Sequence, residues 1–313
     1  MTTSPNEPAG PPAGRRALID EPRFLVVLPG LFWAGNSIVA RSIAGDIPPI
    51  GLAFWRWAVA ALLVLPFAWP HLRRDLPAMR RNWPIMLVLT ALGVAIYNTF
   101  LYIGAQTTTA LNLVMLQTTM PLVVFVASFL VFGQQVTRVQ ACAIAISLLG
   151  AVTLISHGDP AVLTELQFKR GDLWMLAAIV CYAFYTALLR LRPQVHGLSF
   201  ACATFALGAL FLLPFYVAET MLGRPMPVTT TSVLAIAYVA LFASVLAYLA
   251  FNRIVELLGA NTAGMVVHLV PVFGTILAVL LLGESLHLYH GVGIALIATG
   301  IWLATRKQRL NDE

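Results

Sequence analysis

Uninterrupted apolar runs of about twenty residues recur along the whole chain after residue 22, and they leave few ways to fold. The sequence is 59% hydrophobic and only 10% charged, with mean hydropathy +0.85. That is too little charge to cover a water-facing surface at this length. Lipid is the remaining solvent, and there each segment must satisfy its own backbone polar groups, as helices or as a closed barrel. Barrel strands alternate apolar and polar residues in segments of about ten. The continuous runs instead suit helices, which cross a ~30 Å core at ~1.5 Å per residue.

Ten spans are predicted, at about 24–44, 48–69, 84–104, 109–132, 137–156, 172–190, 198–218, 232–254, 260–282 and 287–305. The Pro-, Gly- and charge-rich residues 1–22 read as a disordered tail, without the layout of a cleaved signal peptide. The net charge of +6 is a matter of orientation, not of nucleic-acid binding: its basic residues sit between the runs. With the N-terminus inside, 14 of the 19 Lys and Arg fall on the inner side, including Arg73, Arg74, Arg80, Arg81 and Arg138. Four (Arg41, Lys169, Arg170, Arg224) fall outside, and Arg56 lies within a span. The bias predicts cytoplasmic termini and an even number of spans. Cys142, Cys181 and Cys202 all lie in apolar runs and suggest neither a disulfide nor a metal site; no cofactor is expected.

An internal repeat sharpens the reading. At an offset of 150, Met115 matches Met265, Pro121 matches Pro271, Gly133 matches Gly283 and Gly150 matches Gly300. Leu65-Pro66-Phe67 matches Leu213-Pro214-Phe215 at 148, and Arg41 matches Arg190 at 149. Five spans per repeat is an odd number, so the second copy enters the membrane in the opposite sense. This is the inverted duplication common in transporters, with a site near the midplane where the halves meet. The fold expected is an all-α polytopic membrane protein, ten transmembrane helices in two inverted five-helix repeats. The predicted division is 23–156 and 172–305, joined by a loop at 157–171 and followed by a cytoplasmic tail at 306–313.

Trp33-Ala34-Gly35-Asn36 in the first run, Arg56 after Phe54-Trp55 in the second, Ala110 through Pro121 in the fourth and Leu282-Gly283-Glu284 closing the ninth stand in a telling order. With the duplication, they resemble the drug/metabolite transporter superfamily, and within it the ten-helix EamA type. The first half departs from the family pattern, with Gln134 and Gln135 after Gly133 where a Glu is common. Glu284 reads as a helix-start residue for the tenth span. The chain looks most like bacterial amino-acid exporters of the YddG kind. That resemblance implies export of neutral amino acids, aromatic ones included, through a cavity opening alternately to each side.

Polar residues inside spans are costly in lipid and therefore informative. Arg56 lies about seven residues into the second helix, roughly 10 Å deep. It either binds a carboxylate or holds a cavity's polar network, or else it snorkels to the outer interface or bonds helix-end carbonyls. Trp33 and Asn36 share a helix face, as do their repeat partners Tyr182 and Tyr185. Asn98 and Tyr102 recur with identities swapped as Tyr248 and Asn252, and Tyr97 adjoins the first pair. These residues either line a cavity or bond helix to helix. Gln117 and His268 are interior to helices four and nine; His268 either meets substrate or bonds a backbone carbonyl. The candidate substrate-binding set is thus Trp33, Asn36, Arg56, Tyr97, Asn98, Tyr102, Gln117, Tyr182, Tyr185, Tyr248, Asn252 and His268. Pro121 and Pro271 are candidate hinges.

All 13 acidic residues fall in tails, loops or span ends, which disfavours a proton-coupled exporter of cations. A neutral or zwitterionic solute remains. The expected function is an alternating-access exporter of small neutral solutes in a bacterial inner membrane, working as a monomer. A multidrug or other metabolite exporter is the alternative, and a passive channel or intramembrane enzyme a remote one. Ser37, Ser128 and Ser147 lack the Gly-rich setting and His partner of a serine protease, so no enzyme is expected.

Overall fold

A computed structural model describes residues 22–164, 168–282 and 287–309, so the N-terminal tail through residue 21 and Glu284 lie outside the described residues. Helices account for every span. They are α1 (Pro22–Ser42), α2 (Pro49–Arg81), α3 (Trp83–Thr107), α4 in two pieces (Ala110–Gln117 and Met120–Phe132), α5 (Arg138–Ile155), α6 (Arg170–Leu191) and α7 (Gly197–Met221). A 48-residue stretch, Thr230–Leu277, follows. Unbroken, it would be ~72 Å long, more than twice a ~30 Å membrane core. Gly259 divides it with φ 72° and ψ 164°, a backbone conformation that only glycine adopts readily. Residues 230–258 are therefore α8 and residues 260–282 are α9. Helix α10 (Leu288–Arg309) completes ten crossings. The protein is a multi-pass membrane protein.

Two findings were not expected from the sequence. Helix α2 does not end near residue 69 but continues to Arg81, through Pro66, Pro70 and Pro77. Its inner flank explains this: Asp75 and Met79 are buried, the Asp75 carboxylate accepts from the His196 backbone N–H at 3.0 Å, and the His71 and His196 rings stack at 3.8 Å. Tertiary contacts thus hold an extension that local sequence reads as a link. Helices α3 and α8 also each contain a π-helical stretch, Thr90–Ile96 and Leu241–Leu246, at matching places in the repeats.

The inverted symmetry is visible in contacts. A Cβ on Gly150 would fall 2.7 Å from the Gly293 carbonyl oxygen, and one on Gly300 2.5 Å from that of Ala143. These are one contact seen from each repeat, since 143 and 293 are equivalent, like 150 and 300. Small residues let α5 and α10 cross almost backbone to backbone, as in tightly packed membrane helices. Equivalent residues touch each other only near the axis relating the halves. Asn98 donates to the Tyr248 hydroxyl at 3.0 Å, and His268 Nε2 to the Thr118 carbonyl at 2.9 Å, both pairs 150 residues apart. The axis runs between these pairs. We call the face where α1 begins proximal and the opposite face distal.

Candidate functional site

Arg56 is the centre of the polar interior. It is 0% exposed, and its guanidinium donates from Nε to Ser244 Oγ (2.6 Å), from one terminal nitrogen to Asn36 Oδ1 (3.2 Å) and the Tyr102 hydroxyl (2.7 Å), and from the other to the Ala243 carbonyl (2.8 Å). Its carbon also lies 4.8 Å from the Trp57 ring centre. Every one of these partners is neutral. A buried guanidinium without a carboxylate keeps a large desolvation cost that hydrogen bonds offset only in part.

The π-helical stretches explain why backbone carbonyls take part. Their wider i→i+5 pattern interrupts the α-helical ladder, as at many functional sites. The Ala243 carbonyl accepts from Arg56 and from Trp33 Nε1 (3.3 Å). Gly93 is its equivalent, and the Gly93 carbonyl accepts from the Tyr248 hydroxyl (2.6 Å). Gly93 must be glycine, because any Cβ there would meet the Tyr185 ring.

The swapped Asn and Tyr residues form matching bonds. The Tyr102 hydroxyl donates to Asn36 Oδ1 at 2.9 Å, and the Tyr185 hydroxyl to Asn252 Oδ1 at 2.7 Å. Between them, Trp33, Tyr182 and Tyr248 meet at 5.8–6.2 Å between ring centres, edge to face. Tyr97 lies against Tyr182 at 4.5 Å. The structure therefore brings ten of the twelve candidates into one cluster. Two polar atoms in it, the Tyr182 hydroxyl and Trp57 Nε1, are buried without a hydrogen-bond partner.

Gln117 and His268 belong to a separate layer at the breaks in α4 and α9. Helix α4 is interrupted at Thr118–Thr119, immediately before Pro121; α9 tightens to a 3-10 turn at Met265–His268, just before Pro271. The Thr118 carbonyl, freed by the break, accepts from His268 Nε2, and Ser147 Oγ lies 2.5 Å from His268 Nδ1, so Ser147, read from the sequence as lacking a His partner, has one because the break in α4 and the turn in α9 bring the ring to α5. A carbonyl only accepts, so Nε2 carries the proton, and a neutral ring serves both partners. Gln117 reaches Ser37 Oγ at 3.5 Å. His268→Leu is expected to orphan that carbonyl at a cost of about 1–3 kcal/mol. The check is the thermal unfolding midpoint in detergent followed by circular dichroism; an unchanged midpoint would show that the bond holds nothing together.

A cleft of about 320 Å³ enters beside this layer, and among its lining residues are Ser37 and Ile38 of α1, Leu113 and Val114 of α4, and Pro271 and Thr275 of α9. His157 and His290, at the distal ends of α5 and α10, form its rim. It therefore opens on the distal face. None of the twelve candidates lines it, although Ser37 adjoins Asn36. The proximal face is tied shut opposite: Arg192, just past the end of α6, pairs with Glu256 of α8 and lies 5.3 Å from the Phe200 ring centre, and Arg190 of α6 covers Phe132 of α4 at 3.6 Å. Sequence reading missed Ser244, Trp57 and the cleft's aliphatic walls. Only Trp57, an aromatic next to an intramembrane arginine, carried a usable signal.

Two inverted five-helix halves and helices broken near the axis, beside a cleft that opens on one face, define a membrane transporter of the inverted-repeat class. The chain belongs to the EamA-like transporter family, whose sequence profile matches it twice, at residues 23–156 and 169–306. An uncharacterised transporter of Archaeoglobus fulgidus is 30% identical, over 91% of this chain and 97% of its own length. A probable terminal-alkyne amino-acid exporter of Streptantibioticus cattleyicolor is 25% identical, over 91% and 93%. A solved structure titled only as a crystal structure of a protein superposes with TM-score 0.69 at 19% identity, over 96% of this chain and all of the other, and shows the same fold.

Proposed function

We propose that this transporter carries neutral amino acids, aromatic ones included, by alternating access through the axis between its repeats, with both termini cytoplasmic in a bacterial inner membrane and one chain sufficing. The observation that carries this is Arg56, a buried cation holding only neutral partners beside a cluster of aromatic rings. A substrate carboxylate would supply the missing countercharge, and an apolar side chain would find aromatic faces in Trp33, Tyr182 and Phe251. The amino-acid exporter among the relatives points the same way. The residues 14-to-4 charge bias supports the orientation.

Broken symmetry supports alternation. Trp33 donates to the Ala243 carbonyl, but its equivalent Tyr182 has no partner, because Tyr248 occupies the equivalent carbonyl of Gly93. In a distal-closed state the repeats exchange arrangements: Tyr182 takes Gly93 and Trp33 gives up Ala243. Trp33→Phe then removes a bond of the distal-open state, and Tyr182→Phe one of the distal-closed state. Each bond is worth about 0.5–1.5 kcal/mol, roughly two- to twelvefold in population at 1.4 kcal/mol per decade. With Cys142, Cys181 and Cys202 replaced, Ile38→Cys reports the cleft. Its labelling by a distal, membrane-impermeant thiol reagent is expected to fall with Trp33→Phe and rise with Tyr182→Phe. Shifts in the same direction would sink the exchange.

The substrate class is tested by thermal stabilisation of the purified protein with Phe, Trp, Met, Thr and a lipophilic cation. Stabilisation by the cation alone would instead favour a multidrug exporter.

A further inference from the structure

Helix α2 is 33 residues long, about 50 Å, while the hydrocarbon core is about 30 Å. Its last three turns therefore stand in and beyond the headgroup layer of the proximal face. Along them Trp69, Arg73, Leu76 and Arg80 follow one another at steps of four, three and four, which is one stripe of the helix, and Trp83 stands just past the Asn82 turn at the start of α3. All five are exposed, Trp69 at 51% and Trp83 at 60%. The Arg73 guanidinium carbon lies 5.0 Å from the Trp69 ring centre, so this arginine is held along the stripe. Arg74 and Arg81 flank it and are exposed as well.

Among the described residues no carboxylate forms an ion pair with the stripe's Arg73 or Arg80. Asp75 is the single carboxylate between residues 70 and 83, and it faces inward, bonded to the His196 backbone. Arg81 likewise has no carboxylate in ion-pair contact among the described residues, while Arg74 lies close enough to Asp75 to favour its charged form. Tryptophans bounding such a row sit naturally at the depth where acyl chains meet headgroups. Guanidinium groups between them meet phosphate in its preferred geometry.

We infer that this face is a binding site for anionic phospholipid, the phosphates held by Arg73 and Arg80 with Arg74 and Arg81 beside them, and the acyl chains lying against Trp69 and Leu76. The lipid clamps the α2 extension against the start of α7, so occupancy stabilises the whole protein. A basic segment next to a transmembrane helix recruits anionic lipid in this way generally. Here the exposed stripe, and not the count of charges, locates the site.

The test is the thermal unfolding midpoint of the purified full-length protein in neutral detergent with added phosphatidylglycerol, phosphatidylcholine or inorganic phosphate. Phosphatidylglycerol is expected to raise the midpoint by several degrees and the other two to leave it near the starting value. The exposed double substitution Arg73→Gln/Arg80→Gln should keep the lipid-free midpoint and lose most of the phosphatidylglycerol shift, whereas Arg138→Gln, exposed on the same face, should retain it. Equal shifts from both lipids, a full shift in the double variant, or the same shift from inorganic phosphate would each overturn the assignment.

Discussion

Arg56→Leu is expected to abolish transport while leaving a folded protein. The fold tolerates the change because the partners left behind still hold others. Asn36 keeps Tyr102, the Ala243 carbonyl keeps Trp33, and Ser244 donates to the Val239 carbonyl at 2.8 Å. What disappears is the one buried arginine among the described residues. Truncating one member of a buried, hydrogen-bonded charge pair costs about 2–5 kcal/mol, at least roughly thirtyfold in affinity for a carboxylate-bearing solute. Arg56→Lys keeps the charge but not the planar fork that reaches helices α1, α3 and α8 at once, so it should lose affinity while retaining some transport. A binding role also has a readout that a structural role does not move. Read by thermal stabilisation, the wild type should bind phenylalanine in preference to its decarboxylated amine, and Arg56→Leu should lose that preference in binding. Unimpaired transport in Arg56→Leu would reduce the arginine to a packing element.

Gly150→Val and Gly300→Val are each expected to prevent recovery of a monodisperse protein from detergent extracts. At both sites the added carbon would meet a backbone carbonyl of the facing helix, 2.7 Å and 2.5 Å away, which no rotamer change relieves. Overpacking where side chains can move costs about 1–3 kcal/mol; here whole helices must part. Gly291→Ala lies on α10 with open space around it and should be silent. The two valine variants should fail alike, because they strike the same contact from opposite repeats. A folded Gly300→Val beside an unfolded Gly150→Val would mean that α5 and α10 do not pack symmetrically.

Most of this fold was legible in the sequence, for physical reasons. Lipid forces each apolar run into a helix of predictable length, and prolines and glycines at near-constant offset expose the duplication. The swapped pairs Asn98–Tyr102 and Tyr248–Asn252 pointed to the core, since amides facing lipid would lack partners. Other features left no such mark. The π-helical stretches and the roles of the Gly93 and Ala243 carbonyls are backbone responses to packing, with no residue signature. Ile38, Leu113 and Val114 line a cleft but read like any helix-packing residue. Helix α2 runs through three prolines because Asp75 bonds to His196, far away in sequence, and Met79 is buried. His268 was left between a substrate contact and a backbone bond; the break in α4, which frees the Thr118 carbonyl, supplies the bond.

Counterflow in proteoliposomes tests the central claim most directly. Vesicles loaded with unlabelled phenylalanine would receive a trace of labelled phenylalanine outside, with no pH gradient. A carrier with one central site predicts a transient overshoot of label inside, absent with Arg56→Leu. Smooth, rapid equilibration without overshoot would contradict the account and make the protein a passive pore.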